Sequence, residues 1–160
     1  MANPNWLDEE EMRAWRAFIA TSALLDRRLD QQLRADAGLS HLQYGILVRL
    51  SAADGHAMRM TELADDLLNS KSGLTYQVSQ LENAGLVERA PCKVDVRGVY
   101  AVLTDKGRQL LERAAPGHVD AVRELLIDVL TRDQITAIAD GLGEACRRML
   151  AGDGAPTPAS

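Results

Sequence analysis

The polar loop from Cys92 to Gly98 carries Lys93, Asp95 and Arg97 between two short strand-like runs, Leu86–Arg89 and Val99–Leu103. Two cations and a carboxylate at alternate positions form a basic tip, with Asp95 able to pair with Arg89 or Arg97 and shape the hairpin. A helical pattern ending in Asn83-Ala84-Gly85 precedes the hairpin and Thr104 opens another helix after it. Helix, hairpin with a basic tip, helix is the order of a winged helix-turn-helix. There one helix enters a DNA major groove and the hairpin reaches the neighbouring minor groove or backbone. The helix Lys71–Ala84 sets Leu74, Val78 and Leu81 at i, i+4 and i+7, an inward stripe. Lys71, Ser72, Thr75, Tyr76, Ser79 and Gln80 then face outward behind the capping Ser70, offering hydroxyl, amide and phenol groups suited to base edges. With Arg89 at the root of the hairpin, these residues and Lys93, Asp95 and Arg97 are the candidate DNA-binding set.

Other chemistry finds little support. No paired acid and base, glycine-rich phosphate loop or metal-ligand spacing is present, and a nucleophile triad cannot be assembled from three scattered histidines. The sequence therefore reads as a non-enzyme without cofactor or metal. Cys92 and Cys146 lack a CxxC partner and read as reduced thiols; Cys92 lies beside the basic tip, where a thiolate is favoured, which leaves a redox role open. Net charge is −5, yet Gly85–Arg108 holds Arg89, Lys93, Arg97, Lys106 and Arg108 against Glu88, Asp95 and Asp105. Phosphate contacts depend on such local patches. Trp15, Arg16, His41, Tyr44 and His118 are candidates for an effector pocket suited to an aromatic carboxylate or phenolate. Trp15 also reads as core or interface, and His41 and His118 as capping or surface residues.

The elements around this unit are mainly helical. A first helix spans Asp8 to about Asp36, with Met12, Trp15, Phe18, Ile19, Leu25, Leu29 and Leu33 on one face and Gly38 as its stop. Ser40-His41-Leu42-Gln43 opens a second helix through about Ala53 as a capping box. Ala57–Arg59 can form a short strand, and Thr61–Leu68 a compact helix with Leu63, Ala64, Leu67 and Leu68 inward. Thr104 caps a helix from Asp105 to about Leu130, which Pro116 should kink or briefly break. Thr131-Arg132-Asp133-Gln134 opens a last helix through about Leu150.

The expected architecture is mainly α with a small β-hairpin wing. Residues 1–37 form an N-terminal dimerisation helix, 38–103 the winged helix-turn-helix, 104–151 C-terminal dimerisation helices and 152–160 a disordered tail. The wide apolar faces of the terminal helices call for a two-fold dimer, which would set two reading helices about 34 Å apart on a pseudo-palindromic site. No apolar run approaches the roughly 20 residues of a membrane span, and the N-terminus lacks a secretion signal. A cytoplasmic protein is expected.

The sequence resembles the MarR family of bacterial transcriptional regulators. The matching pieces are Thr61-Glu62-Leu63-Ala64, Leu81-Glu82 with Gly85-Leu86-Val87 and Arg89, Asp95-x-Arg97-Gly98, and Leu103-Thr104 with Lys106-Gly107. The resemblance implies a homodimeric DNA-binding regulator, often released by a small phenolic or aromatic ligand or by oxidation. It also implies that Arg97 enters the minor groove with Asp95 bracing it. Relatives often carry arginine where this chain has Tyr76, Gln80 and Val96, and peroxide sensors of the family place a cysteine in the first helix, where this chain has none. A repressor released by an aromatic ligand is the leading expectation; a winged-helix module that dimerises but has lost specific DNA binding is the alternative.

Overall fold

The protein is described from a computed structural model, in which residues 5–91 and 98–153 are described. The elements run α1 (Glu9–Ala37), α2 (His41–Ala52), a 3-10 turn (Asp54–His56), β1 (Ala57–Arg59), α3 (Met60–Asp66), α4 (Lys71–Asn83), β2 (Val87–Pro91), β3 (Val99–Leu103) and α5 (Asp105–Val122). A π turn (Arg123–Ile127) and α6 (Arg132–Asp153) follow. The chain divides between Ala121 and Val122 into two compact units. The fold is that of a mainly helical winged helix-turn-helix, with a three-stranded antiparallel sheet in the order β1-β3-β2.

Helix starts follow local chemistry. The Asp8 carboxylate accepts the Glu11 N–H at 2.9 Å and the Glu11 carboxylate accepts the Asp8 N–H at 2.9 Å. Ser40 and Gln43 repeat this reciprocal pair at the start of α2, at 3.1 and 3.0 Å. Thr131 and Gln134 repeat it ahead of α6. Each pair satisfies two N–H groups that a helix start leaves without partners.

In the first unit, Leu33, Ile46, Leu47, Leu50 and Leu63 meet Leu74, Val78 and Leu81 of α4 in one core, closed by Val87 and Ala101 of the sheet. The inward stripe expected on α4 is thus buried. β3 is the central strand: Ala101 pairs with Met58 on one side and Arg89 on the other.

Two expectations are corrected. Leu68 does not face inward but is 69 % exposed, with φ 51°. The Leu68 N–H donates to the Asp65 carbonyl at 3.1 Å and the Asn69 N–H to the Ala64 carbonyl at 2.9 Å, a left-handed helix stop that swings the side chain outward. Pro116 does not break its helix: α5 runs through it to Val122, and the irregular segment comes later, at Arg123–Ile127. Next to Pro116, α5 passes close to α1, since a Cβ on Gly117 would lie 3.2 Å from Asp36 Oδ2.

The second unit holds the π turn and α6, with Ile138, Leu142, Met149 and Leu150 exposed. Trp15, Phe18, Ile19 and Leu24 of α1 are exposed as well. Among the described residues, no helix is long and apolar enough to cross a membrane. Cys92, for which redox chemistry is considered above, and residues 154–160 of the tail expected over 152–160 lie outside the described residues, while Gly152 and Asp153 continue α6.

Candidate nucleic-acid interface

The position of α4 is fixed at both ends. Ser70 caps its start, its hydroxyl accepting the Gly73 N–H at 3.1 Å. At its end Gly85 takes φ 73°, a left-handed conformation that glycine adopts without penalty. The Leu86 N–H donates to the Leu81 carbonyl and the Gly85 N–H to the Glu82 carbonyl, each at 2.9 Å.

The start of α5 then closes over this stop. Thr104 Oγ1 donates to the Gly85 carbonyl at 2.8 Å while accepting the Gly107 N–H at 3.0 Å. Lys106 Nζ donates to the Ala84 carbonyl at 2.7 Å. A Cβ on Gly107 would lie 2.2 Å from the Leu86 carbonyl oxygen, so only glycine permits this approach. Sequence reasoning gave these residues no such role, although Gly85-Leu86 and Thr104 with Lys106-Gly107 are among the pieces that carry the family resemblance. Their distance along the chain hides that they form one latch.

With its apolar stripe held in the core, α4 turns Lys71, Ser72, Thr75, Tyr76 and Gln80 outward; Ser79 is half-buried. Two of the hydroxyls are committed within the chain. Thr75 Oγ1 donates to the Lys71 carbonyl at 2.7 Å and Ser79 Oγ donates to the Thr75 carbonyl at 2.9 Å. Ser70 and Ser72 place their hydroxyl oxygens 3.5 Å apart.

Arg89 reaches from β2 across to this helix. Its Nη2 donates to the Thr75 carbonyl at 3.1 Å and to Ser79 Oγ at 2.8 Å, while Nη1 lies 3.7 Å from Glu82 Oε2. Beside it, Arg59, Met60, Thr61, Thr75, Arg89, Gly98 and Val99 line an open hollow of about 360 Å³. Arg59 Nε donates to the Tyr100 hydroxyl at 3.4 Å, and its guanidinium carbon lies 5.9 Å from the centre of that ring. Arg59 did not stand out in the sequence, because nothing local ties it to α4, and Glu82 figured only in the family resemblance, with no partner assigned. Lys93, Asp95, Val96 and Arg97 lie outside the described residues.

Three of the five effector-pocket candidates come together. The His118 ring centre lies 4.4 Å from that of Tyr44 and 5.6 Å from that of His41. His41 Nδ1 is 2.7 Å from Asp26 Oδ1, and the His41 N–H donates to Asp30 Oδ1 at 3.0 Å. His118 Nδ1 is buried without a hydrogen-bond partner. Burial first, then the nearby His41, holds the His118 imidazole below its usual pKa. Desolvation raises the Tyr44 phenol above its own. Arg34 bonds to Asp30, and with the His41 N–H it holds that carboxyl below the usual carboxylate range. Trp15 packs instead near Phe18, with ring centres 6.4 Å apart, and Arg16 lies with Glu9, Glu10, Met12 and Arg13 along the N-terminal part of α1. Eleven residues of helix separate Trp15 from Asp26, about 16 Å at 1.5 Å per residue. Among the described residues, no group of three or more His, Cys, Asp or Glu side chains could hold a metal ion.

Comparison with known proteins agrees with this geometry. Residues 37–98, which include the helix-turn-helix, match the model of the MarR family. Sco3205 from Streptomyces coelicolor, a MarR family transcriptional regulator solved in complex with DNA, is 43% identical, with 98% of this chain and 96% of that one covered and a TM-score of 0.83. AbsC, a MarR family transcriptional regulator from the same organism, is 37% identical over 92% of this chain and 99% of its own, with a TM-score of 0.87. The transcriptional regulator PecS of Dickeya dadantii (strain 3937) is 32% identical over 121 residues, 75% of this chain and 72% of that protein. The helix α4, latched between a capping serine and the start of α5, and likeness to such regulators over most of the chain lead to one conclusion: this chain belongs to the MarR family of transcriptional regulators.

Proposed function

We propose that the chain is a DNA-binding repressor that works in the cytoplasm as a two-fold dimer, each protomer presenting α4 to a major groove and the β2–β3 hairpin to the adjacent minor groove. The observation that carries this reading is the row Lys71, Ser72, Tyr76 and Gln80, exposed on a helix whose opposite face, Leu74, Val78 and Leu81, is locked in the core. The likeness to Sco3205, whose structure includes DNA, supports the same assignment. Ser70, Thr75 and Ser79 extend the contact row, Lys93, Asp95 and Arg97 supply the hairpin's share, and Arg89 serves the same face by bonding to Thr75 and Ser79 of α4.

Residues 38–103 form the DNA-binding part in this reading, and residues 1–37 and 104–151 the dimerisation helices. Exposed Trp15, Phe18, Ile19 and Leu24 on α1, and Ile138, Leu142, Met149 and Leu150 on α6, are the apolar surface that a second copy covers. A clamp over two half-sites excludes polymerase from overlapping DNA, so repression is its direct effect. The recess at His41, Tyr44 and His118 receives an aromatic acid or phenol, with Trp15 and Arg16 added if a second protomer supplies them. A ligand that favours a different spacing of the reading helices releases the DNA.

The test is footprinting and fluorescence anisotropy on the DNA upstream of the chain's own gene, with and without a panel of aromatic acids. The expected result is protection of two half-sites about one turn apart, a steep loss of affinity with salt, and weakening by Arg97→Ala. Binding no better than to scrambled duplex, with a stable dimer in light scattering, would favour an interaction module instead.

A further inference from the structure

We propose that Arg89 is a positioning residue that sets the hydrogen-bond polarity of the Ser79 hydroxyl on α4, and so the class of base edge it reads. The inference rests on the assignment of α4 as the base-reading helix. A guanidinium only donates hydrogen bonds. With Arg89 Nη2 held 2.8 Å from Ser79 Oγ, the Ser79 proton cannot point toward it and goes to the Thr75 carbonyl, 2.9 Å away. Nη2 also donates to that carbonyl at 3.1 Å, which closes the triangle.

Ser79 is left with one lone pair. Thr75 keeps both lone pairs, its own proton given to the Lys71 carbonyl at 2.7 Å. Both hydroxyls therefore meet the groove as acceptors. Their complements in the major groove are the amino groups of cytosine and adenine, not the acceptor atoms of guanine or thymine. Tyr76 and Gln80, exposed on the same helix, keep the capacity to donate. Arg89 thus acts on specificity through Ser79, with no need to touch DNA.

The experiment measures the full chain against a panel of operator duplexes substituted at every position of one half-site, for wild type, Arg89→Met, Ser79→Ala and the double variant, each over a salt series. Arg89→Met is expected to lose a preference of about 2- to 10-fold for an amino-bearing base at one position, the worth of one hydrogen bond. Ser79→Ala should lose the same preference, and the double variant should lose no more than either. The slope of log affinity against log salt should stay at its wild-type value in all three. A fall in slope of about one in Arg89→Met, the signature of a lost phosphate contact, would overturn the proposal. So would an unchanged base profile in Ser79→Ala, which also decides the matter if Arg89→Met does not fold. Wild type that binds no duplex would overturn the DNA reading and this inference with it, whereas wild-type binding with an unaltered variant profile removes only the role given to Arg89.

Discussion

Replacing Gly107 by alanine should cost the fold about 2–4 kcal/mol. The added methyl would sit 2.2 Å from the Leu86 carbonyl oxygen and 2.8 Å from Leu103 Cδ1. The leucine can rotate, but the carbonyl belongs to the backbone, so α5 must retreat by about 1 Å to restore ordinary contact near 3.3 Å. Overpacking of this kind costs about 1–3 kcal/mol. The retreat also stretches the bonds from Thr104 Oγ1 to Gly85 and from Lys106 Nζ to Ala84, each worth about 1 kcal/mol. Alanine returns about 1 kcal/mol through its better helix propensity. The net loss corresponds to a melting temperature lower by roughly 4–16 °C for a chain of this size. Urea unfolding at fixed protein concentration should show a lower midpoint with an unchanged slope. A variant as stable as wild type, or more stable, would refute the close approach of α5 to Leu86.

Leu68→Gly should stabilise the protein by about 1 kcal/mol, because it removes a left-handed leucine at φ 51° whose side chain is mostly in water; a lower urea midpoint would contradict this. The depressed pKa of His118 predicts a pH dependence of definite sign. Unfolded, the ring titrates near 6.5, and folded, it titrates lower, so the unfolded chain takes up the proton first. The contribution of His118 to stability is full above pH 6.5, falls as pH drops below that value and levels off once the folded pKa is passed. His118→Phe, which keeps a ring against Tyr44, should flatten this part of the curve in denaturation series between pH 7 and pH 5. An unchanged curve would show that His118 is not the group responsible.

What the sequence disclosed was mostly local. Ser40-x-x-Gln43 and Thr131-x-x-Gln134 announce helix starts because donor and acceptor lie three residues apart. The spacing of Leu74, Val78 and Leu81 reveals the buried face of α4 for the same reason. Leu68 misled because an apolar residue at helical spacing says nothing of the left-handed turn it occupies. Of the kink or break expected at Pro116, the break does not occur, and the irregular segment falls instead at Arg123–Ile127, for which no proline or glycine gives a signal. In the candidate site, the outward row of α4 and the trio His41, Tyr44 and His118 were legible as residue types. The reach of Arg89 onto Thr75 and Ser79 was not, since strand pairing and helix packing set it across fourteen and ten positions of chain. Trp15 and Arg16 share the chemistry of an aromatic site but not its location within one protomer.

The helix α5 is tied down twice: at Gly107, against the stop of α4, and at Gly117 and His118, beside α1 and the ring of Tyr44. A rod pinned at two points transmits displacement with little loss. Whatever wedges the aromatic trio apart would push the far end of that rod against the loop that closes α4, and Thr104, Lys106 and Gly107 would carry the push to the exposed row of that helix.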